Sequence, residues 1–285
     1  MKTPTVPRTE AFPCDGPCEL DLRIREGRIE VKAGNVGHVR VELSTPDERS
    51  AGETRVEYSE EHRKLVVRAP RSLHRGDVHV FVEMPSGSKV EAAAHRGSIS
   101  ASGKLCGLVA ITGGGAVEAE EIDGAVKVAS GSGSVTLGRV SGPLKARLGN
   151  GDIELSSIES LGASLTTGHG DVRLGVVGGN AKVRTGKGSV VVSEVAGGNL
   201  ELVTGGGDLR VGVRPGVAAE LDVVSGSGQA HSELDVTDRP APGAPVAHIR
   251  MRTASSTAAA SPATPPITPA SAGFSTSIWK ISSRP

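Results

Sequence analysis

Thr167-Gly168-His169-Gly170-Asp171-Val172-Arg173-Leu174 is one copy of a step that recurs along most of the chain. The same Gly-x-Gly stands at 113–115, 131–133, 149–151, 186–188, 205–207 and 226–228. Its second glycines fall at 115, 133, 151, 170, 188, 207 and 228, so the period is 18 or 19 residues until one last step of 21. A constant period of that length predicts a solenoid in which each repeat is one coil.

The repeats align as columns when the second glycine is position zero. Position +2 reads Val117, Val135, Ile153, Val172, Val190 and Leu209, and position +4 reads Ala119, Leu137, Leu155, Leu174, Val192 and Val211. Position +7 reads Ile122, Val140, Ile158, Val177, Val195 and, one residue early, Val213. A second strand supplies Val126/Val128, Leu144/Ala146, Ala163/Leu165, Ala181/Val183 and Leu200/Leu202. Residues two apart share one face of a strand, so +2 and +4 point inward together. The odd step to +7 requires a corner. One such unit cannot bury its apolar face alone, and only stacking closes the columns. Like-on-like columns predict an all-β fold, a right-handed, single-stranded parallel β-helix over 91–253. An antiparallel meander of the same period is the alternative.

Successive coils turn at one place, where φ > 0 suits only Gly or Asn, and Asn150 fits that role. Pro215-Gly216 makes a wider turn and accounts for the 21-residue step.

The recurring Thr-Gly-x-Gly-Asp/Ser-Val-x-Leu/Val pattern resembles the bacterial putative-adhesin family, a β-solenoid domain of unknown function. Arg55-Val56-Glu57-Tyr58, Leu65-Val66-Val67-Arg68-Ala69-Pro70 and Met84-Pro85-Ser86-Gly87-Ser88 look like the signal-less actinobacterial-type members. The resemblance covers about residues 20–253. It implies a right-handed β-helix and no established enzymatic activity, and some members adjoin envelope-stress regulators. No functional residues are established in the family, so none is carried over.

Composition narrows the function classes. The 32 basic and 32 acidic side chains cancel, so no global field favours nucleic acid or anionic lipid. Aromatics make up 2% of the chain, and none of the five lies in the repeats, which removes the stacking platforms that sugar and single-strand nucleic-acid sites use. Glycine, at 39 residues, suits a fold of many tight turns. The first residues carry no apolar leader, and no run is long enough to span a bilayer, so the expectation is a cytoplasmic protein without membrane insertion. Cys14, Cys18 and Cys106 cannot all pair, in keeping with a reducing compartment. Cys14-Asp15-Gly16-Pro17-Cys18 has no second Cys or His pair nearby to complete a zinc site and reads as loop thiols; Cys106 reads as a small buried residue.

The Gly-x-Gly steps invite a phosphate reading that fails in detail. In Thr185-Gly186-Lys187-Gly188-Ser189, Gly188 separates the Lys from the Ser that a P-loop needs adjacent, and no helix follows. Asp152, Asp171 and Asp208 alternate with serines after the turn. A nonapeptide calcium column needs Asp on nearly every turn, so capping of the turn backbone is expected instead. Glu118, Glu120 and Glu121 read as a solvated strand face. Neither a GxSxG elbow nor an HExxH motif occurs. No catalytic, metal or cofactor residues are therefore assigned.

One candidate surface remains: the residue between the two glycines, running Gly114, Ser132, Asn150, His169, Lys187, Gly206 and Ser227. Stacked in register, these form an exposed ridge, which both an interaction surface and ordinary solvated turns would produce. The expected function is a non-enzymatic scaffold or protein-interaction module. Alternatives are self-association through the solenoid ends, as a structural protein or adhesin, and a carbohydrate-active enzyme working in a groove.

The flanks differ from the repeats. Residues 1–18 are Pro-rich and irregular, and 19–90 alternate as short strands that read as an antiparallel β cap over the open coil. After Val246–Thr253 the family continues with a Gly-Asp-Ile strand. This chain runs into a Ser/Thr/Ala/Pro tract over 254–285, expected to be a disordered tail that leaves the last coil uncapped, as a shifted reading frame would.

Overall fold

The computed structural model describes residues 6–45, 47–70, 77–160, 162–226, 230–233, 235–236, 245–255, 257–263 and 277–283. The chain divides into two compact units, Met1–Leu148 and Gly149–Pro285.

The first unit holds β1 (Val6–Pro13), β2 (Glu19–Gly34), β3 (His38–Thr45), α1 (Glu48–Glu53), β4 (Arg55–Ser59), β5 (Lys64–Arg68), β6 (Val78–Pro85), β7 (Ser88–Gly114), β8 (Val117–Ile122), β9 (Val126–Ser132), β10 (Val135–Val140) and the start of β11 (Leu144–Asn150). Its cap is antiparallel on the outside: β1 pairs with β3, β3 with β6, and β4 with β5. The start of the 19–90 region, expected to alternate as short strands, is one long strand. β2 lies parallel to β5, β6 and β7 and turns at Gly27, where φ is +134°. It is therefore already a coil of the solenoid. At the outer edge, Arg8 of β1 donates from Nη1 to the carbonyls of Ala51 and Thr54, both at 2.9 Å. Those carbonyls lie at the C-terminal end of α1, where a cation is favoured. Asp47 caps the other end, accepting from the Ser50 amide at 2.7 Å.

The second unit continues with β12 (Ile153–Ile158), β13 (Ala163–His169), β14 (Val172–Val177), β15 (Ala181–Lys187), β16 (Val190–Val195), β17 (Gly198–Thr204), β18 (Leu209–Val213), β19 (Ala218–Ser225), β20 (Ala230–Ser232), β21 (Asp235–Val236), β22 (Val246–Thr253), β23 (Ala258–Pro262) and β24 (Ser277–Ser283). Its ladders are parallel, which decides against the meander.

The columns expected from the repeats are the registers observed. Ile153, Val172, Val190 and Leu209 are successive partners, as are Ile158, Val177, Val195 and Val213, all buried. Val213 is reached through a one-residue register shift, which is why it comes early in the sequence. The corner before +7 lies at Gly138, Gly175 and Gly212 in three coils, where a Cβ would meet the preceding coil's carbonyl oxygen at 2.1 Å.

Coil order departs from chain order near the end. β22 pairs with β17 on one side and β19 on the other, and β23 lies between β18 and β20. The segment expected to be the last coil is thus inserted between two earlier ones. Part of the tract expected as disordered tail completes it. Ala258 and Ala260 stack on Leu209 and Val211 and are almost fully buried, and Thr257 stands where other coils carry Asp or Ser. β24 then pairs with β19 and β21. The small side chains of 257–262 lack a core of their own but fit a column whose neighbours already exist. Of that tract, 256, 264–276 and 284–285 lie outside the described residues.

Cys106 is exposed rather than buried, because it alternates with Leu105 on the way into the Gly107 corner. Cys14 and Cys18, expected as loop thiols, are both buried, Cys14 donating to the Gly16 carbonyl and Cys18 lying against Ser88.

Candidate functional site

The turn column is built by two glycines that are needed for different reasons. The second one adopts a conformation only glycine takes easily: Gly170 has φ +140° and Gly188 φ +143°. A Cβ on Gly188 would also lie 2.0 Å from the Gly170 carbonyl oxygen. The first glycine has ordinary φ but no room. A Cβ on Gly186 would sit 2.5 Å from the Gly168 carbonyl oxygen. Asn150 does not carry positive φ, contrary to expectation; among the described non-glycine residues only Arg63 does. Asn150 ends a strand, and Gly151 takes the turn instead.

The residue between the glycines points outward while its backbone is consumed by the ladder. Gly115 N donates to Ser132 O at 2.8 Å in the first unit. In the second, Gly151 N donates to His169 O at 2.8 Å, Gly170 N to Lys187 O at 2.9 Å and Gly188 N to Gly206 O at 2.8 Å. Gly114 and Ser132 are register partners in the first unit, and His169 and Lys187 in the second. Ser132, Asn150, His169 and Lys187 are exposed, whereas Gly114 and Gly206 are half-buried. Ser227 lies outside the described residues. No helix follows Lys187, so no helix N-terminus is available for an anion there.

Two polar columns flank the turn. The aspartate and serine side chains do cap backbone, but in the next coil. Asp152 Oδ1 accepts from Asp171 N at 2.8 Å, Asp171 Oδ1 from Ser189 N at 2.9 Å, and Ser189 Oγ from Asp208 N at 3.3 Å. The Thr preceding the first glycine has a role that its spacing alone did not reveal. Buried Thr167, Thr185 and Thr204 donate to the carbonyls of Gly151, Gly170 and Gly188 at 3.0, 3.1 and 2.9 Å. Its signal was present in the recurring Thr-Gly dipeptide.

Charges elsewhere in the second unit are arranged in pairs. A cleft of about 540 Å³ is lined by strands of that unit. Its carboxylates each have a basic side chain beside them: Glu201 has Lys182 at 2.6 Å, Glu220 has His248 at 2.9 Å, and Asp222 has Arg250 at 2.9 Å. The Lys182 hydrogen bond holds the Glu201 carboxyl below its ordinary value against the opposing effect of burial. In the first unit Glu120 accepts from Gly103 N at 2.7 Å and Glu121 lies 3.8 Å from Lys104, so the glutamates of β8 serve the strand face. Among the described residues, no three His, Cys, Asp or Glu side chains group as metal donors.

Comparison with known proteins gives a family rather than an activity. The Toastrack DUF4097 family model matches residues 19–241. No curated protein matches. Among solved structures, a putative adhesin from Bacteroides fragilis has 12% identity and a TM-score of 0.41, over 91% of this chain and 99% of its own. A putative adhesin from Parabacteroides distasonis has 11% and 0.34, over 90% and 98%, and a putative lipid binding protein from the same species has 13% and 0.32, over 88% and 96%. No residue correspondence is drawn at these levels. The match to the family model spans the cap and nearly all the glycine-cornered coils, and this chain belongs to the Toastrack DUF4097 family.

Proposed function

We propose that this chain is a non-enzymatic β-solenoid scaffold that binds a protein partner through its turn ridge. The observation that carries the reading is the column Asn150, His169 and Lys187. Three unlike side chains stand exposed at a regular coil spacing, on turns whose backbone is already hydrogen-bonded. Such a surface loses little conformational freedom on binding, because the spine beneath is ordered beforehand. The carboxylates of the second-unit cleft favour this reading over a groove enzyme, since each already has a Lys, His or Arg side chain as its partner. Work in the cytoplasm, linked to envelope or stress regulation, belongs to the same proposal. The three free thiols are in keeping with a reducing compartment.

End-to-end assembly is opposed at one end by the outer strand β1. It carries Pro7 and Pro13, which cannot donate to a further ladder, together with Arg8 and Glu10. Light scattering against concentration separates the readings, with a constant monomer mass expected.

The deciding experiment is a pull-down from the native cell with the wild-type chain and with N150A/H169A/K187A. A partner captured by the first and lost by the second, at equal thermal stability, supports the ridge. Equal capture by both overturns it.

A further inference from the structure

In the second unit Glu154 stands opposite Arg173, Lys182 opposite Glu201 and Arg250 opposite Asp222, whereas a row in the first unit sets like charges together. Register places Arg55 of β4 opposite Arg68 of β5, and Arg68 opposite Arg23 of β2. Three guanidinium groups thus stand side by side on adjacent strands. Like charges directly opposite one another destabilise a sheet, so this row weakens the fold on its own account.

One carboxylate organises two of the three. Asp21, with its side chain only 10% exposed, accepts from Arg23 Nε at 3.0 Å through Oδ1 and from Arg68 Nη2 at 3.3 Å through Oδ2. Arg55 is bonded to Glu57 of its own strand. A guanidinium has five N–H donors in a rigid fork, and Asp21 takes one from each of its two partners. The Arg23 and Arg68 side chains remain 59% and 51% exposed.

Both arginines open on a cavity of about 490 Å³. Arg25 and His95 line it with them, over an apolar floor of Ile24, Ala69 and Pro70, and no acidic side chain is among the described residues lining it. Arg23 and Arg68 against Asp21 leave an excess of one positive charge, and the Arg25 side chain lines the same cavity. Planar, bidentate donors held in place by a buried acid suit a tetrahedral dianion better than a single carboxylate.

We propose that this cavity binds a phosphoryl group, with Arg23 and Arg68 as the principal donors and Asp21 as the residue that positions them. The repulsion between Arg23 and Arg68 is then the cost of a preformed anion site, relieved further when the ligand arrives. The same chemistry is offered by a free phosphate and by the headgroup of a phosphomonoester lipid.

The test uses the full chain. Inorganic phosphate is titrated calorimetrically at low ionic strength against matched chloride and acetate, with flotation on phosphatidate-containing vesicles in parallel. R68Q leaves Arg23 on Asp21, and R25Q leaves both Asp21 contacts in place, so one of the two remains informative if the other misfolds. R210Q is the control, since Arg210 is paired with Asp208 at 3.0 Å in the second unit. Saturable phosphate binding, weakened at least about tenfold by R68Q or R25Q and unchanged by R210Q, is the expected result. Vesicle binding with the same variant pattern but without free-phosphate binding supports the site and places the phosphoryl group on a lipid. Absence of both, or a loss in R210Q equal to that in R68Q, overturns the proposal.

Discussion

Arg250 Nε donates to Asp222 Oδ2 at 2.9 Å, and on its other side the ladder register sets Arg250 opposite Glu201. This relationship exists because coil order departs from chain order. Were β19 to stack directly on β17 in the same register, Asp222 would stand opposite Glu201. Strand β22, with Arg250, separates the two acidic ones, and His248 Nδ1 lies 2.9 Å from Glu220 Oε2.

R250E sets three carboxylates in one row. We expect it to lower unfolding free energy by about 1 kcal/mol, since the groups are partly exposed and screened. Raising salt to about 0.5 M narrows the gap from wild type, because screening weakens repulsion. Urea denaturation at two ionic strengths checks both. A salt-independent loss would point to packing instead.

The two residues of the Gly206-Gly207 turn separate cleanly. Gly207 has φ +142° and a Cβ there would lie 2.1 Å from the Gly188 carbonyl oxygen, whereas at Gly206 the nearest atom is 3.6 Å away. G207A is expected to cost more than about 3 kcal/mol or to prevent folding, and G206A to stay within about 0.5 kcal/mol. Thermal melts of the two proteins decide it.

The threonine column predicts a similar contrast. Thr185 Oγ1 donates to Gly170 O, but Ser130 Oγ, at the equivalent place, is buried with no hydrogen-bond partner among the described residues. T185A is expected to cost about 1–2 kcal/mol, because it strips a hydrogen bond and a buried methyl group. S130A is expected to be neutral or slightly stabilising, since it removes an unsatisfied hydroxyl. Equal losses in the two variants would refute the distinction.

Alkaline unfolding reads the buried thiols. Burial pushes the Cys18 thiol from 9.0 up to about 11, only partly offset by the Ser88 hydroxyl. The folded state holds this proton more tightly, so the contribution is fully present below pH 9 and is lost between pH 9 and 11 as the unfolded chain ionises first. C18A is expected to flatten stability over that window. In the native protein at pH 8, a thiol reagent should label exposed Cys106 well before Cys14 or Cys18.

Much of this was legible from residues alone. The +2, +4 and +7 columns are visible because inward positions recur as Val, Ile and Leu at a fixed distance from a glycine, and each register follows from that distance. The second glycines were legible for the same reason: backbone strain there admits one residue type. Less was legible at Asn150, where a residue able to adopt positive φ does not, since its neighbour Gly151 takes the turn. The Asp column was read as local capping, whereas the acceptor reaches the next coil, a contact across 18 or 19 residues.

Periodicity determined that this chain is a solenoid, where its corners fall and which side chains enter its core, because those choices depend on local spacing and on what glycine alone permits. Tertiary structure decided which coil lies against which. The order β17, β22, β19 sets Arg250 between Glu201 and Asp222, residues far apart in the chain. It likewise decided that Arg23, Arg55 and Arg68 share a row and that Arg23 and Arg68 meet one buried acid, Asp21, because strand pairing brings together charges that no spacing relates.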